Sequence, residues 1–312
     1  MQIIHDLNAI RKPFKNAVVT TGNFDGVHLG HQALFHEVIE EADAIEGTSV
    51  AITFEPHPIR VLKQNGHPPL ITLLNQKTEL IESTGVDVLI VISFSKEFAA
   101  LSAQEFVADI LVRKIGMQAI AVGSDYSFGR NREGNLDLLK EMAREIGFKV
   151  ILTDWIQGPN ANTNRISSTR VRELVMAGDM DRTRKHLGRY YQIRGRVATG
   201  RNRGGRLLGF PTANINLHDE LSPKSGVYAV TVECQEKHFK GVANIGYSPT
   251  FDDHIFTVEV HILDFEKDIY GEDIRVNFIH RLRAEEKFSG IDALSDQINK
   301  DILHARDFLE NI

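Results

Sequence analysis

Two hydrophobic patterns follow each other along the chain. Up to about residue 180, short apolar runs rich in β-branched residues alternate with segments whose apolar positions recur every three or four residues. The runs predict strands at 17–21, 50–54, 88–92, 119–122 and 150–152, and the longer segments predict helices at 32–45, 73–83, 103–114 and 136–145. Strands that are apolar almost throughout are typical of a parallel sheet covered by helices on both faces. This part of the chain therefore predicts a doubly wound, Rossmann-like α/β domain.

After about residue 189, apolar and polar positions alternate instead. The alternation predicts strands at 226–232, 241–246, 255–264 and 274–282, joined by short turns without helices between them. Such a pattern indicates an antiparallel sheet or a small β-barrel, and it is followed by one C-terminal helix over about 291–311. We expect one domain over residues 1–186 and a second over residues 187–312.

The composition is that of an ordinary globular protein. The 312 residues are 42% hydrophobic and 25% charged, and this length suggests about two domains. The formal charge of -6 argues against a nucleic acid or an anionic membrane as partner. Cys234 is the one cysteine, so an internal disulfide cannot form and a reducing cytoplasm is expected.

Two further features of the chain bear on its location and assembly. The start lacks the pattern of a signal peptide, and the longest apolar run, 86–94, is too short to cross a bilayer. No apolar stripe suggests an oligomer seam, and we expect a monomer or a weak homo-oligomer.

The first candidate site follows the first predicted strand. Residues 21–31, Thr-Gly-Asn-Phe-Asp-Gly-Val-His-Leu-Gly-His, lead into the first helix at the carboxyl edge of the expected sheet, where ligands collect. Gly30 and His31 lie at a helix N-terminus, which favours phosphate, and His28 and His31 add two donors for triphosphate oxygens. A tight turn with two solvated histidines and a metal pair are the alternatives, although no third ligand is near in sequence.

Two more segments belong to the same edge. Residues 166–172, Ile-Ser-Ser-Thr-Arg-Val-Arg, open a late helix with capping hydroxyls, and Arg170 and Arg172 could form a second phosphate clamp. The glycine-rich loop 123–134 also follows a predicted strand. A capped helix with solvated arginines and a plain turn are the alternative interpretations.

The second candidate site begins at a glycine-rich stretch. The chain has no Walker A motif, which excludes a P-loop kinase, but glycines between residues 200 and 209 form a loop whose amides could wrap phosphates. Thr212 and Asn214 then offer a hydroxyl and a carbonyl oxygen on one face of an extended segment, a pair suited to Mg²⁺. Basic residues crowd the stretch 182–206, and a nucleic-acid patch is a weaker rival there because aromatic residues are few.

Glu259 is the candidate base of the second site. It lies opposite the apolar positions of strand 255–264, and alternation alone favours a solvated surface residue. A kinase that acts on an alcohol, however, needs a carboxylate that accepts the hydroxyl proton.

These motifs resemble a known family. The string at 22–31, Phe-Glu-Pro-His-Pro at 54–58, the loop 123–129 and the segment 166–172 are similar to the FAD synthetase module of bacterial bifunctional riboflavin kinase/FAD synthetases, within the HxGH nucleotidyltransferase superfamily. The second half is similar to the riboflavin kinase module, a six-stranded antiparallel barrel, at 209–214, 226–228, 241–246, 249–251, 258–265, 270–271, Gln297 and Asp301. The resemblance covers nearly the whole chain.

The resemblance implies two reactions that use ATP. The first module joins FMN to the adenylyl group of ATP and releases pyrophosphate, and the second phosphorylates riboflavin to FMN. Riboflavin, FMN and ATP are the expected small-molecule partners. Mg²⁺ accompanies ATP, and no permanently bound organic cofactor is expected.

The resemblance also implies roles for individual residues. In the first module, His28 and His31 are catalytic and bind the ATP phosphates. The rest of that nucleotide site is Gly22, Asn23, Phe24, Gly30, Ser168, Thr169 and Arg170, and Asp125 is a flavin contact. In the second module, Glu259 is the catalytic base, Thr212 and Asn214 bind Mg²⁺ with ATP, and Gly200 and Gly209 contact ATP.

Two alternatives remain open at the level of sequence. One module alone could be active, or the chain could be a flavin-binding or nucleic-acid-binding regulator with vestigial sites. The presence of His28, His31, Asn214 and Glu259 argues against decay of either site.

Overall fold

The chain forms two compact units. The computed structural model describes residues 1–63, 66–154, 165–198, 210–217, 219–247 and 256–310. The first unit is Met1–Ser168 and the second is Thr169–Ile312.

The first unit is built on a six-stranded sheet in which every neighbouring pair is parallel. Its strands are β1 (Gln2–Ile4), β2 (Ala17–Thr21), β3 (Thr48–Glu55), β4 (Val88–Ser93), β5 (Met117–Val122) and β6 (Lys149–Leu152). The order is β1-β4-β3-β2-β5-β6, so the chain winds one way from β2 to β3 and the other way to β5 and β6. The predicted doubly wound fold is confirmed. Its switch point lies at the carboxyl ends of β2 and β5, where ligands bind in such sheets.

Helices cover both faces of this sheet. They are α1 (Leu29–Ala44), α2 (Pro58–Leu62), α3 (Leu74–Glu82), α4 (Lys96–Ala99), α5 (Ala103–Glu105), which continues as the π-helical Phe106–Ile115, and α6 (Leu136–Ile146). On β2, Val19 packs in a cluster with Leu111 of the π-helical segment, whereas Val18 packs in a cluster with Val38 of α1. Alternate residues of one strand therefore enter two hydrophobic cores, which explains the almost continuous apolar runs.

The second unit begins with two helices and continues as an antiparallel barrel. Its elements are α7 (Ser168–Ala177), whose first residue ends the first unit, α8 (Met180–Leu187), β7 (Tyr191–Arg196), β8 (Ala213–Asn216), β9 (Gly226–Cys234), β10 (Lys237–Tyr247), β11 (Phe256–Ile262), β12 (Asp273–Arg283) and α9 (Ile291–Leu309). The strand order is β7-β12-β9-β10-β11-β8. The backbone N–H of Ala198 donates to the Asn214 carbonyl oxygen at 2.9 Å, so the segment after β7 meets β8 and nearly closes the barrel.

The two faces of the barrel sheet have different neighbours. Tyr228 of β9 and Phe278 of β12 are fully buried, and their rings meet edge to face at 5.3 Å between centroids. On the other face, Val227 and Val242 pack with Ala305 of α9. The predicted barrel and C-terminal helix are confirmed. No helix within the described ranges has both the length and the apolar character required to cross a bilayer.

Candidate active sites

The loop between β2 and α1 has an unusual backbone. Phe24, Gly26 and Val27 all have positive φ values, of 46°, 87° and 39°. Such conformations are unfavourable for residues with a side chain and persist only where the surroundings hold them. The loop lies at the switch point of the sheet, where the sequence predicted a site.

Asp25 holds this loop from within. Its side chain is buried, and its Oδ1 accepts hydrogen bonds from the backbone N–H groups of Ile71 at 3.0 Å and Thr72 at 3.1 Å. The N–H of Gly26 donates to the Thr72 hydroxyl at 3.0 Å. Because a carboxylate that accepts several N–H bonds is well satisfied, Asp25 stabilises the loop conformation.

His28 and His31 form a stacked pair at the start of α1. Their ring centroids are 3.6 Å apart with an interplanar angle of 19°, and His28 is buried. His28 caps the helix, since its Nδ1 accepts from the His31 N–H at 3.3 Å. This acceptor role assigns the proton of a neutral His28 ring to Nε2. The helix begins at Leu29 rather than at the predicted residue 32, because this cap precedes the apolar stripe from which the prediction was made.

The other predicted residues of the first unit surround this pair. A Cβ on Gly30 would lie 3.2 Å from the His28 ring, and one on Gly22 would lie 2.9 Å from the Phe24 ring. The Asn23 carbonyl accepts from the Thr53 hydroxyl at 3.2 Å. The structure therefore brings the predicted loop residues together.

Ser168 reaches the same loop, whereas three other predicted contacts are arranged differently. The Ser168 hydroxyl donates to the Asp25 carbonyl oxygen at 2.8 Å. Thr169 and Arg170 belong to the second unit, where Arg170 bonds to Glu173 at 2.8 Å. Asp125 is largely exposed and forms an ion pair with Arg165 at 2.7 Å.

Sequence reasoning missed a row of aromatic side chains near this site. The row links the carboxyl ends of β3 and β4, the start of the π-helical segment and the loop after β5, and it consists of Phe54, Phe94, Phe98, Phe106, Phe128 and Tyr126. Neighbouring ring centroids are between 5.1 and 6.2 Å apart. Burial raises the pKa of the Tyr126 hydroxyl, which also bonds to Thr21. The available signal in the sequence was the position of Phe54 at the end of one predicted strand and of Phe94 two residues after another.

Lys77 of α3 is a second residue that the sequence did not single out. Its side chain is only 3% exposed. Burial lowers the pKa of its amine, and the nearby carboxylates of Asp25 and Glu55 oppose that shift. The lysine thus places a basic group next to the carboxylate that holds the β2–α1 loop.

The second unit aligns three polar side chains across neighbouring strands. Glu259 on β11 is in register with Asn214 on β8 and with Asn244 on β10. Residues directly opposite each other on antiparallel strands share a face of the sheet. Asn244 lies in a segment that the resemblance covers, but register with Glu259 could not be derived from sequence alone.

Glu259 is less exposed than alternation suggested. Its side chain is half-buried, and burial raises the pKa of its carboxyl. A carboxyl with a raised pKa is a stronger base once it is ionised. The solvated surface residue that alternation favours is therefore not what the structure contains.

A cavity in the second unit is lined in part by His261, which lies two residues from Glu259 on β11. It has a volume of about 1050 Å³, and its lining includes Pro211, Lys237, Phe239, His261, Phe265 and Lys267. The rings of Phe239 and Phe265 meet at 4.9 Å between centroids. The ring Nδ1 of His261 is 2.9 Å from the Pro211 carbonyl oxygen, next to Thr212 in the chain. Gly200 and Gly209 lie outside the described residues.

No group of three or more His, Cys, Asp or Glu side chains in the described part of the chain is placed to hold a metal ion. Thr212 and Asn214 offer two neutral oxygen ligands. That set fits a hard cation that arrives with phosphate, and it does not fit a tightly held transition metal.

The fold and both polar clusters define a two-domain transferase that acts on nucleotides. A family model described as FAD synthetase matches residues 10–170, and one described as riboflavin kinase matches residues 187–309. Proteins named bifunctional riboflavin kinase/FMN adenylyltransferase match the chain over nearly its full length. The one from Escherichia coli strain K12 is 39% identical and covers 98% of this chain and 96% of its own. The one from Buchnera aphidicola subsp. Schizaphis graminum is 37% identical and covers 97% of each.

The chain therefore belongs to the family of bifunctional riboflavin kinase/FMN adenylyltransferases. This confirms the predicted family, the order of its two modules and the prediction of an enzyme. A crystal structure described as a macrolide-efflux protein from Streptococcus pneumoniae has a TM-score of 0.87 at 34% identity, and covers 97% of this chain and 98% of its own. That structure and this chain therefore share one fold over almost their full lengths.

Proposed function

We propose that the second unit phosphorylates riboflavin to FMN and that the first unit adenylylates FMN to FAD, with Mg-ATP in both reactions. The observation that carries the proposal is the presence of two separate polar clusters in one chain. His28 and His31 stack at a helix N-terminus in the first unit, and Glu259 lies in register with Asn214 in the second. We place the functional boundary at residues 186 and 187, in agreement with the start of the riboflavin kinase match.

In the first reaction, a phosphate oxygen of FMN attacks the α-phosphorus of ATP. The bond from that phosphorus to the bridging oxygen breaks, and pyrophosphate leaves with the electron pair. His28 and His31 donate to phosphate oxygens as negative charge builds on the leaving group. The N-terminus of α1 adds to this stabilisation, and we assign Gly22, Asn23, Phe24 and Gly30 to the same nucleotide site. Ser168, Thr169 and Arg170 complete the ATP site.

The aromatic row suits the ring system of a flavin. Isoalloxazine is large, flat and mostly apolar, and such ligands bind in clefts lined by aromatic side chains with a few polar groups. The row lies at the carboxyl ends of β3 and β4, beside the switch point. Asp125, on the loop that carries Tyr126 and Phe128, is the proposed polar contact at its rim.

In the second reaction, Glu259 accepts the proton of the terminal ribityl hydroxyl of riboflavin. The hydroxyl oxygen then attacks the γ-phosphorus of ATP, and ADP leaves. Thr212 and Asn214 would hold the Mg²⁺ that accompanies ATP, and the cation would supply positive charge against the phosphates. The cavity lined by Phe239 and Phe265 is large enough for the adenosine of ATP. Gly200 and Gly209 remain predicted phosphate contacts.

The test is turnover by the purified full chain with Mg-ATP and either riboflavin or FMN, with FMN and FAD separated by chromatography. The double variant His28→Ala with His31→Ala should lose FAD formation and keep FMN formation. Glu259→Gln should show the reverse, so each variant is the folding control for the other. A well-folded wild-type chain that forms neither product would overturn the proposal, and equal loss of both reactions in either variant would overturn the residue assignments.

A further inference from the structure

Asn244 occupies a distinctive position on β10. It lies directly opposite Glu259, whose other neighbour in register is Asn214. Side chains at such opposed positions lie on one face, with Cβ atoms about 4.5–5.5 Å apart. The residues next to Asn244 in the chain, Ala243 and Ile245, are fully buried on the opposite face. Asn244 therefore flanks the proposed base on the side away from the proposed Mg²⁺ ligand.

This face of β10 carries no second amide, and its other polar residues, Lys240 and His238, lie four and six residues from Asn244. Two residues away on one side is Gly246, and two residues away on the other side is Val242, which packs with Ala305 of α9. Asn244 is thus a polar position between a glycine and an apolar residue. A strand that only had to pack would accept an apolar or β-branched residue here.

The Asn244 amide is available to a ligand. It is half-buried, and within the described residues no side-chain hydrogen bond holds it. A polar group that is partly removed from water without a protein partner is unfavourable unless water or a ligand satisfies it. Glu259 nearby can only accept a hydrogen bond when ionised, whereas an amide both donates and accepts.

We propose that Asn244 is a substrate-binding residue of the kinase site that recognises the polyol chain of the acceptor. Its amide binds the hydroxyl next to the reacting one, which aligns the terminal hydroxyl with Glu259. The inference rests on the proposed riboflavin kinase activity and extends it to acceptor specificity. An acceptor with a single isolated alcohol would not use this contact.

The experiment is a double-mutant cycle in the full-length chain. Riboflavin and 4′-deoxyriboflavin, which lacks the neighbouring hydroxyl, are compared as acceptors for the wild type, Asn244→Ala and Asn244→Ser. We expect Asn244→Ala to lower kcat/KM for riboflavin at least about tenfold, the loss typical of one hydrogen bond in a binding site. The deoxy substrate should lower it by a similar factor in the wild type and by much less in Asn244→Ala. Asn244→Ser, which keeps a hydroxyl, should recover part of the activity.

Two controls separate the possible failures. Asn216→Ala removes an exposed amide two positions from Asn214 on β8 and should leave the kinase unchanged, and FMN adenylylation in the same chain reports on folding. If the wild type is active but Asn244→Ala leaves kcat/KM unchanged, the inference about Asn244 is overturned and the proposed function stands. The same holds if the losses from the substitution and from the deoxy substrate simply multiply. An inactive wild type would overturn the proposed function with it.

Discussion

The proposed reaction needs Glu259 ionised, whereas the burial of its side chain opposes ionisation. Burial raises the pKa of its carboxyl, so folding shifts the protonation balance of Glu259 toward the neutral form. The proposed reaction needs the ionised form, because only a carboxylate accepts the proton of the ribityl hydroxyl. The same residue therefore opposes folding and promotes catalysis at neutral pH.

The first prediction is the pH dependence of the kinase. The rate should be high above the raised pKa of Glu259 and should fall as pH decreases through it, at a higher pH than an exposed glutamate would give. The measurement is kcat/KM for riboflavin against pH, with FMN adenylylation by the same preparation as reference. An acidic limb at the ordinary carboxylate value would remove Glu259 from the role of base.

The second prediction concerns the stability of Glu259→Gln. A carboxyl whose folded pKa lies above its unfolded value contributes fully below the unfolded pKa, and its contribution is lost as pH rises through the folded pKa. Glutamine resembles the protonated form, so the variant should unfold at an equal or higher urea concentration than the wild type at pH 7. At low pH, where Glu259 is protonated in both the folded and the unfolded wild type, the difference should vanish. A large destabilisation at neutral pH would contradict this account.

The third prediction uses Gly30 to displace His28. The added methyl group of Gly30→Ala would lie 3.2 Å from the His28 ring, so one of the two groups must move by a few tenths of an ångström. Misplacement of a catalytic group is expected to reduce FMN adenylylation by roughly tenfold or more. Riboflavin phosphorylation should be unchanged, and unimpaired FAD formation would show that the position of His28 is not critical.

The functional residues that stand in local motifs could be predicted from the sequence. His28, His31, Thr212, Asn214 and Glu259 stand in recognisable motifs. The contributions of Asn244, Lys77 and the aromatic row depend on strand register and on side chains from several elements. Because those depend on tertiary packing, no local pattern predicts them.

At the scale of elements, the end of β12 is joined to α9 by a buried ion pair. Arg283 donates through Nη2 to Oδ2 of Asp301 at 2.7 Å and through Nε to Oδ1 at 2.9 Å, and Gln297 donates to the same carboxylate at 2.9 Å. The side chains of Arg283 and Asp301 are 17% and 4% exposed. Val227, which is in register with both Arg283 and Asn244, packs against α9. The connection therefore fixes the helix beside the row that contains Glu259.

The fourth prediction is that Asp301→Asn destabilises the second unit by about 3 kcal/mol, because it leaves a buried guanidinium without its counter-charge. Urea unfolding of the full chain, followed by a signal from the second unit, measures the loss. The matched control is Asp264→Asn, which breaks the exposed pair of Asp264 with Arg306 on the same helix. That variant should shift the midpoint little, and equal shifts for both would contradict the importance of burial.

Long periodic elements were predicted better than short ones. The four predicted helices of the first unit and the four longest barrel strands follow the predicted ranges within a few residues, whereas the short helices α2 and α4 were not predicted. Strands β7 and β8 were not predicted from periodicity, because each is short and interrupted by glycine or asparagine. They are the edges of the sheet, and their approach through Ala198 and Asn214 is a tertiary contact.

At the scale of the whole molecule, the structural division precedes the predicted functional one. The chain divides into its two compact units between Ser168 and Thr169, whereas the riboflavin kinase match begins at residue 187. Helices α7 and α8 lie between these points and pack with the second unit. The Val175 carbonyl accepts from the Lys224 N–H at 3.3 Å, and Asp181 is 3.4 Å from the ring Nδ1 of His280.

The fifth prediction compares two fragments that differ only in these helices. Fragments 169–312 and 187–312 should both phosphorylate riboflavin, because Thr212, Asn214, Asn244 and Glu259 are present in each. Fragment 169–312 should be more stable by several kcal/mol, because removal of the preceding residues deletes the buried side chains Val171, Leu174, Val175, Met180, Thr183 and His186. Thermal unfolding and kinase turnover of both fragments provide the test. Equal stability would mean that α7 and α8 do not support the barrel, and loss of turnover in 187–312 alone, with the barrel still folded, would place part of the kinase site in these helices.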